Sequence, residues 1–445
     1  MDHTADVAQK RATVITALHS VGPTLFVATL IAVRYPSTLF RAEFWAEDAT
    51  EFLFDALSIG FRSLTTPVYG YHFFLERIIA YGATFLSAFY LPYVYAWSSL
   101  AINSVALAFV VRDGFSWIAP QRWIRMLLAV LFAVGPGTAD VLLNLSNLPS
   151  TLALLGLLLL IERPFQLSAK RVVALTVLAA SSGQMILWLP VVAYLAWLTR
   201  AKAYWAVALA IVLFAVLNLA GNHQAASAAR LLDYGRLAYI PRILAENAFT
   251  RLAPGPFFGS NWTGLLMLSP PAVFWSAAVL GVGAFAAIAR GAFRADRHGT
   301  TILFLGYAGA VGIFGVVAFS RTYALPQLIR EAGSLHWELR YAFLPGALAM
   351  LLLTSCLLRP LTSAALQKAG RIAYALIVVQ VAATWPLGFP RPDLHWPERS
   401  ERVQAILDHS RRMGQPTVLT IDDLAIHPVG WVPANGRFGV VVPGG

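Results

Sequence analysis

Tyr71-His-Phe-Phe-Leu-Glu76-Arg77-Ile-Ile-Ala-Tyr81-Gly-Ala-Thr-Phe85-Leu-Ser-Ala-Phe-Tyr90-Leu91 is the stretch that decides the topology of this chain. Counted as a membrane span, it would invert the side of every basic cluster that follows. Glu76 and Arg77 stand side by side among Phe73, Phe74, Tyr81, Phe85 and Tyr90, a pattern that suits an amphipathic helix lying in the interface rather than one that crosses. The segment is therefore read as an outer-face juxtamembrane helix.

Working outward from it, 58% of the 445 residues are hydrophobic and 12% are charged, against roughly 45–50% and about 25% in ordinary soluble domains. The fold class expected is an all-α polytopic membrane protein with about 11 transmembrane helices, outer-face juxtamembrane helices and a small α/β outer C-terminal tail. The spans lie near 14–34, 92–111, 123–140, 147–161, 171–183, 185–199, 203–220, 267–289, 300–319, 341–358 and 371–389. The first apolar run is not followed by a small-residue cleavage site, so it is expected to remain as an anchor. Residues 1–389 then form the transmembrane domain, with 35–91 as the first outer loop, and 390–445 form an extracytoplasmic C-terminal segment.

The net charge of +11 reflects topology rather than a nucleic-acid partner. Lys and Arg cluster at Lys10-Arg11, Arg112 to Arg125, Arg163 to Arg171, Arg200 to Lys202, Arg290 to Arg297 and Arg359 to Arg371, and the positive-inside rule makes these cytoplasmic. That puts the N-terminus inside and the C-terminus outside. Lys10, Lys170, Lys202 and Lys368 all fall on the inner side, so every outer cation is an arginine. Guanidinium binds phosphate with two parallel hydrogen bonds and tolerates partial burial. An Arg-rich composition throughout the chain accounts for the same asymmetry without function. The single cysteine, Cys356, sits inside an apolar run, which excludes a disulfide framework and a cysteine metal site.

Three outer segments have the length to build a site. The first carries Glu47 and Asp48; its Glu47, Glu51 and Asp55 are spaced to share one face of a helix, beside Phe44, Trp45, Phe52 and Phe54. Carboxylates among aromatic residues at the edge of a span are costly and usually functional, although a helix cap or a solvated patch is the bland alternative. The second, Gly221 to Gly264, mixes arginines with aromatics. The third, Arg321 to Arg340, contains His336 and runs into the span that begins at Tyr341. In the tail, Glu398 to Met413 reads as a helix, Thr417 to Ile421 as a strand and the stretch from His427 as a turn. About 55 residues is short for an independent core, so the tail is expected to dock on the outer face. There is no P-loop, dinucleotide fingerprint, His-Glu-x-x-His signature or internal repeat.

Four stretches together resemble the GT-C superfamily of polytopic glycosyltransferases, especially its bacterial members associated with polysaccharide genes. They are Trp45-Ala-Glu47-Asp48-Ala-Thr-Glu51-Phe52, Pro67-Val-Tyr69-Gly-Tyr71-His-Phe-Phe-Leu-Glu76-Arg77, Asn144-Leu-Ser-Asn147-Leu-Pro149 and Glu338-Leu-Arg340-Tyr341. The resemblance implies an inverting transferase in the bacterial inner membrane that moves a sugar from a polyprenyl-phosphate carrier to a lipid, glycan or protein acceptor on the outer face. Asp48 or Glu47 would be the general base; the family pair is often Asp-Glu, and the reversed order here leaves the choice open. The other carboxylate would orient the acceptor or hold a divalent cation, and no other cofactor is implied. Arg340 is the first choice for the lipid phosphate, followed by Arg77 and Arg321, with Tyr69, Tyr71, His336 and Asn144 as further substrate contacts. Two rivals use the same lipid carriers. A transporter or flippase would place its charges in the middle of spans, and a polymerase or ligase would rely on arginine and histidine in large outer loops.

Overall fold

The computed structural model of the chain describes residues 21–45, 47–67, 71–135, 138–221, 270–320, 339–358, 364–384, 395–424, 426–427 and 439–443. These residues are mostly helical. Tyr69, Arg321 and His336 lie outside the described residues, as does most of each of the two later outer segments; of Arg340 the backbone is described.

Long apolar runs, each begun or ended by a helix-breaking residue, make the framework. It comprises α1 (Val21–Arg34), α5 (Leu91–Ala108), α6 (Arg122–Val134), α8 (Leu148–Ile161), α9 (Ala169–Ser181), α10 (Leu189–Thr199) and α11 (Lys202–Gly221), and then α12 (Pro271–Ala295), α13 (Arg297–Ser320), α14 (Leu339–Leu358) and α15 (Ala364–Thr384). Proline occupies the first turn of α5, α8, α10 and α12, where its missing N–H has no helical partner to lose. Sequential helices pack as antiparallel hairpins, α10 on α11, α12 on α13 and α14 on α15. The run expected to be continuous over 123–140 breaks at Gly135, where a Cβ would stand 2.6 Å from the Leu131 carbonyl oxygen, and the short helix α7 (Thr138–Val141) follows.

One end of the bundle is tied by ion pairs between the connections. Glu162 accepts from Arg112 Nε at 2.7 Å and from Arg171 Nη2 at 2.5 Å. Arg163 pairs with Asp296. Arg125 pairs with Asp113 at 2.7 Å and donates to the Val111, Ala119 and Pro120 carbonyls. Three of the basic clusters seen in the sequence therefore converge on one end. Ala88–Val111 is, among the described residues, the one helical stretch long and apolar enough to cross a membrane by length and composition; α1, α8, Gly183–Thr199, Lys202–Asn218, Phe343–Leu358 and Gly370–Val379 are shorter apolar stretches.

The opposite end carries the 35–91 segment. It runs through α2 (Pro36–Phe40), β1 (Phe44–Trp45), a π-helical stretch at Asp48–Leu53, α3 (Phe54–Ile59), a 3-10 turn at Gly60–Thr65, α4 (Phe74–Ala83) and a second 3-10 turn at Ala88–Tyr90. At 1.5 Å per residue α4 is roughly 15 Å long, half of what a span needs. The structure corrects the interfacial picture in another respect. Glu76 and Arg77 are not on a solvated face; they are 0% and 1% exposed. The π-helical stretch likewise alters the shared face expected of Glu47, Glu51 and Asp55, since a π turn holds more residues than an α turn and a spacing of four no longer completes it.

The tail docks on this same segment. Its helix α16 (Trp396–Met413) is followed by β2 (Thr417–Thr420), β3 (Ile426–His427) and β4 (Gly439–Val442). β2 and β4 pair antiparallel, while β3 pairs parallel with β1 in the register Phe44 to Ile426 and Trp45 to His427. His427 thus ends a strand. Trp396 meets Phe44 edge to face at 5.2 Å and donates to the Phe89 carbonyl at 2.9 Å, and Gln404 Oε1 accepts from the Ala88 N–H at 2.7 Å.

Candidate active site at the Asp48 end of the bundle

Asp48 opens the π-helical stretch and is 2% exposed. Its Oδ1 accepts from the Ser146 N–H at 2.8 Å and its Oδ2 from the Leu145 N–H at 3.2 Å. Both donors belong to the Asn144-Leu-Ser-Asn147 turn, so two of the four stretches singled out in the sequence meet at one carboxylate. Asn144 is fully buried and holds that turn in shape: its Oδ1 accepts from the Asn147 N–H at 2.9 Å and from Ser146 Oγ at 3.2 Å. Leu143, just before it, takes a left-handed φ of 69°, a conformation that a branched side chain adopts only when its surroundings enforce it. The turn leads into α8, so Asp48 lies at a helix entrance whose exposed N–H groups favour negative charge.

Glu47 precedes the stretch and is partly buried, with Oε2 lacking a partner among the described residues. Around the acidic pair, α4 brings in a second group of charges. Arg77 Nη2 donates to Asp55 Oδ2 at 2.9 Å, and its guanidinium lies 5.8 Å from the Phe52 ring. Arg77, expected as a phosphate ligand, is thus engaged inside the fold, with Nε and Nη1 without partners among the described residues. Neither Glu76 oxygen has a partner beyond its own backbone among the described residues. Burial pushes its carboxyl well above the usual range, with the Asp48 charge adding to the rise and its own backbone bond and Arg77 opposing it.

Beside α4 the helix ends form a polar belt. The His72 N–H and Nδ1 both reach Asn218 Oδ1, at 3.0 and 2.9 Å, and the ring contact requires the Nδ1–H tautomer. Ser181 Oγ accepts from the Leu75 N–H at 3.1 Å, and Gln184 Nε2 donates to Ser150 Oγ at 3.1 Å. Tyr71 is exposed and its ring lies over Gly183, where a Cβ would come within 2.4 Å of it. α7, the turn that leads to Asn144, packs on α14, whose first residues include Arg340.

Of the residues expected at the site, Asp48 and the Asn144 turn meet directly, Glu47 precedes Asp48 in the chain, Arg77 is paired with Asp55, and Tyr71 lies over Gly183. Tyr69, Arg321 and His336 fall outside the described residues. Sequence reasoning missed Asp55 as the partner of Arg77, the burial of Glu76 and the His72–Asn218 contact. The available signal was a polar residue within an apolar run, which Asn218 and Asn103 both supply. Among the described residues no three His, Cys, Asp or Glu side chains group to hold a metal ion. No family model matches the chain, and neither does any curated protein or solved structure.

Proposed function

We propose that this chain is a polytopic membrane glycosyltransferase of GT-C type that uses Asp48 as the general base on the outer face. The observation that carries the reading is the Asp48 carboxylate held by the N–H groups of Leu145 and Ser146. Support for the membrane setting comes from the outside of the bundle, where Leu25, Val33, Trp97, Val105, Trp197, Trp205, Leu209, Val279 and Val379 are exposed. A surface so apolar needs lipid around it. The framework helices of 20 to 25 residues, α11 through α15, have roughly the length that crosses a hydrocarbon core. The convergence of basic clusters on the end opposite Asp48 agrees with an inner face there.

In this reaction an acceptor hydroxyl gives its proton to Asp48 while its oxygen attacks the anomeric carbon. The bond from that carbon to the phosphate oxygen breaks, its electron pair leaves with the polyprenyl phosphate, and configuration inverts. The backbone N–H bonds hold Asp48 in place without moving it during the step. Glu47 orients the acceptor, and Arg340 at the start of α14 receives the lipid phosphate.

A positioned base contributes about 10²- to 10⁴-fold. Purified Asp48→Asn should lose transfer from a polyprenyl-phosphate-linked sugar by about that factor while retaining its thermal transition, and Glu47→Gln should lose less. Near-normal rates in both variants would make the acidic pair structural and end this reading.

A further inference from the structure

Below Asp48, a row of buried side chains carries polar atoms that have no hydrogen-bond partner elsewhere among the described residues. Thr50 Oγ1 lies in the π-helical stretch, both Glu76 oxygens and Arg77 Nε and Nη1 on α4, Tyr95 OH, Ser99 Oγ and both amide atoms of Asn103 on α5, and Thr151 Oγ1 on α8. Every one of these residues is at most 2% exposed. Tyr95, Ser99 and Asn103 follow one another at intervals of four, so they form a single stripe of α5, roughly 12 Å from end to end at 1.5 Å per residue. α5 packs on α4 and on α8, and α4 packs on the π-helical stretch, so the stripe and the other groups lie on mutually packed elements. The Tyr95 ring meets Phe44 of β1 edge to face at 5.5 Å, which sets the upper end of the row beside the strand from which the acidic pair departs.

Leaving a buried polar group unbonded is costly. So many together would rival the whole stability of a folded domain. They are therefore expected to be satisfied by a guest that brings its own hydrogen bonds. The chemistry of the row describes that guest. Hydroxyls, a phenol, a carboxamide and a carboxyl both donate and accept, and the one cation present already faces Asp55. The remaining Arg77 donors, Nε and Nη1, suit a hydroxyl or ring oxygen, and hydroxyl groups fit every other position.

We propose that this seam between the π-helical stretch, α4, α5 and α8 is a binding subsite for hydroxyl groups, supplied by the sugar of the lipid-linked donor. The assignment rests on the transferase reading for the identity of the donor. Its geometry stands apart from the chemistry at Asp48. Glu76 enters the subsite as an uncharged acid, able both to donate and to accept, since burial favours its protonated form. Ordered water is the other source of hydroxyls, and the test separates the two.

The protein is reconstituted in lipid nanodiscs and its thermal transition followed with polyprenyl-phosphoryl glucose, mannose, galactose or arabinose, each against the same polyprenyl phosphate without sugar. At least one sugar should stabilise the protein beyond the bare phosphate. Ser99→Ala and Asn103→Leu should abolish that difference, or weaken donor affinity at least tenfold, while leaving the response to bare phosphate intact. Asp48→Asn, which removes transfer under the proposed mechanism, should keep the sugar-dependent shift. A shift in Asp48→Asn without transfer by the wild type would preserve the subsite and remove the transferase reading. If no sugar outperforms bare phosphate, or if both Ser99→Ala and Asn103→Leu leave the difference unchanged, the seam holds water only and the proposal fails. Should Asn103→Leu not fold, Ser99→Ala with Thr151→Ala carries the same comparison.

Discussion

Asp48 and Glu76 belong to neighbouring pieces of chain, yet their surroundings treat the two carboxyls oppositely. Asp48 accepts a backbone N–H from the Asn144 turn on each oxygen, whereas Glu76 has at most a contact with its own backbone and is fully buried. With its carboxyl raised well above the usual value of 4.5, Glu76 binds its proton more tightly folded than unfolded. The stability this contributes is fully present below pH 4.5 and is lost as the pH rises toward the folded value. Thermal transitions of wild type and Glu76→Gln, measured across that range, should diverge as the pH rises from about 4.5, by at most about 1.4 kcal/mol per pH unit, with Glu76→Gln the more stable at the upper end. Parallel curves would mean that Glu76 is ionised when buried. At this scale the sequence was partly legible. A carboxylate beside aromatic residues marks Asp48, and the Asn144 turn is one of the four stretches singled out in the sequence. That the turn supplies the N–H groups for Asp48 was not visible, because the bonds join residues 97 and 98 positions apart. The partner of Arg77 was hidden for the same reason, since Asp55 was read as one of a helical acidic row.

Among the elements, the tail and the 35–91 segment form one unit. Phe44 is wedged between Tyr95 at 5.5 Å and Trp396 at 5.2 Å, and β3 completes β1 just before Glu47. A tail helix carrying a buried tryptophan therefore braces the strand from which the acidic pair departs. Trp396→Ala removes a fully packed ring and the bond to Phe89, a loss of about 3–5 kcal/mol for such a truncation. Limited proteolysis should then cut within or near α16 well before the bundle, and transfer should fall with the loosening of β1; a cleavage pattern identical to wild type would show that the tail is held elsewhere. The tail helix and β2 lie close to the stretches read for them in the sequence, Glu398 to Met413 and Thr417 to Ile421, and the helix stops at Gly414, which has a left-handed φ of 60°. Their docking was expected only in outline, because two-residue strands leave almost no pattern in sequence. The π-helical stretch was not readable at all, since its composition is that of an ordinary amphipathic helix.

For the whole molecule, hydrophobic runs and their proline and glycine boundaries made the helix order legible, and α8 to α11 lie close to where they were expected. What the runs could not give is which ends belong together. That came from ion pairs such as Glu162 with Arg112, 50 positions apart, and Arg163 with Asp296, 133 positions apart. The account depends on Asp48 and the Glu162 cluster facing opposite sides of a membrane, with the α4 segment failing to cross. The most direct measurement replaces the buried Cys356 by alanine and introduces one cysteine at a time, Arg62→Cys beside the acidic loop or Gln121→Cys beside the basic end, both at exposed positions. A membrane-impermeant maleimide applied to intact spheroplasts should label Arg62→Cys and spare Gln121→Cys, while lysed spheroplasts label both. Labelling of both positions in intact spheroplasts, or of Gln121→Cys alone, would contradict the account.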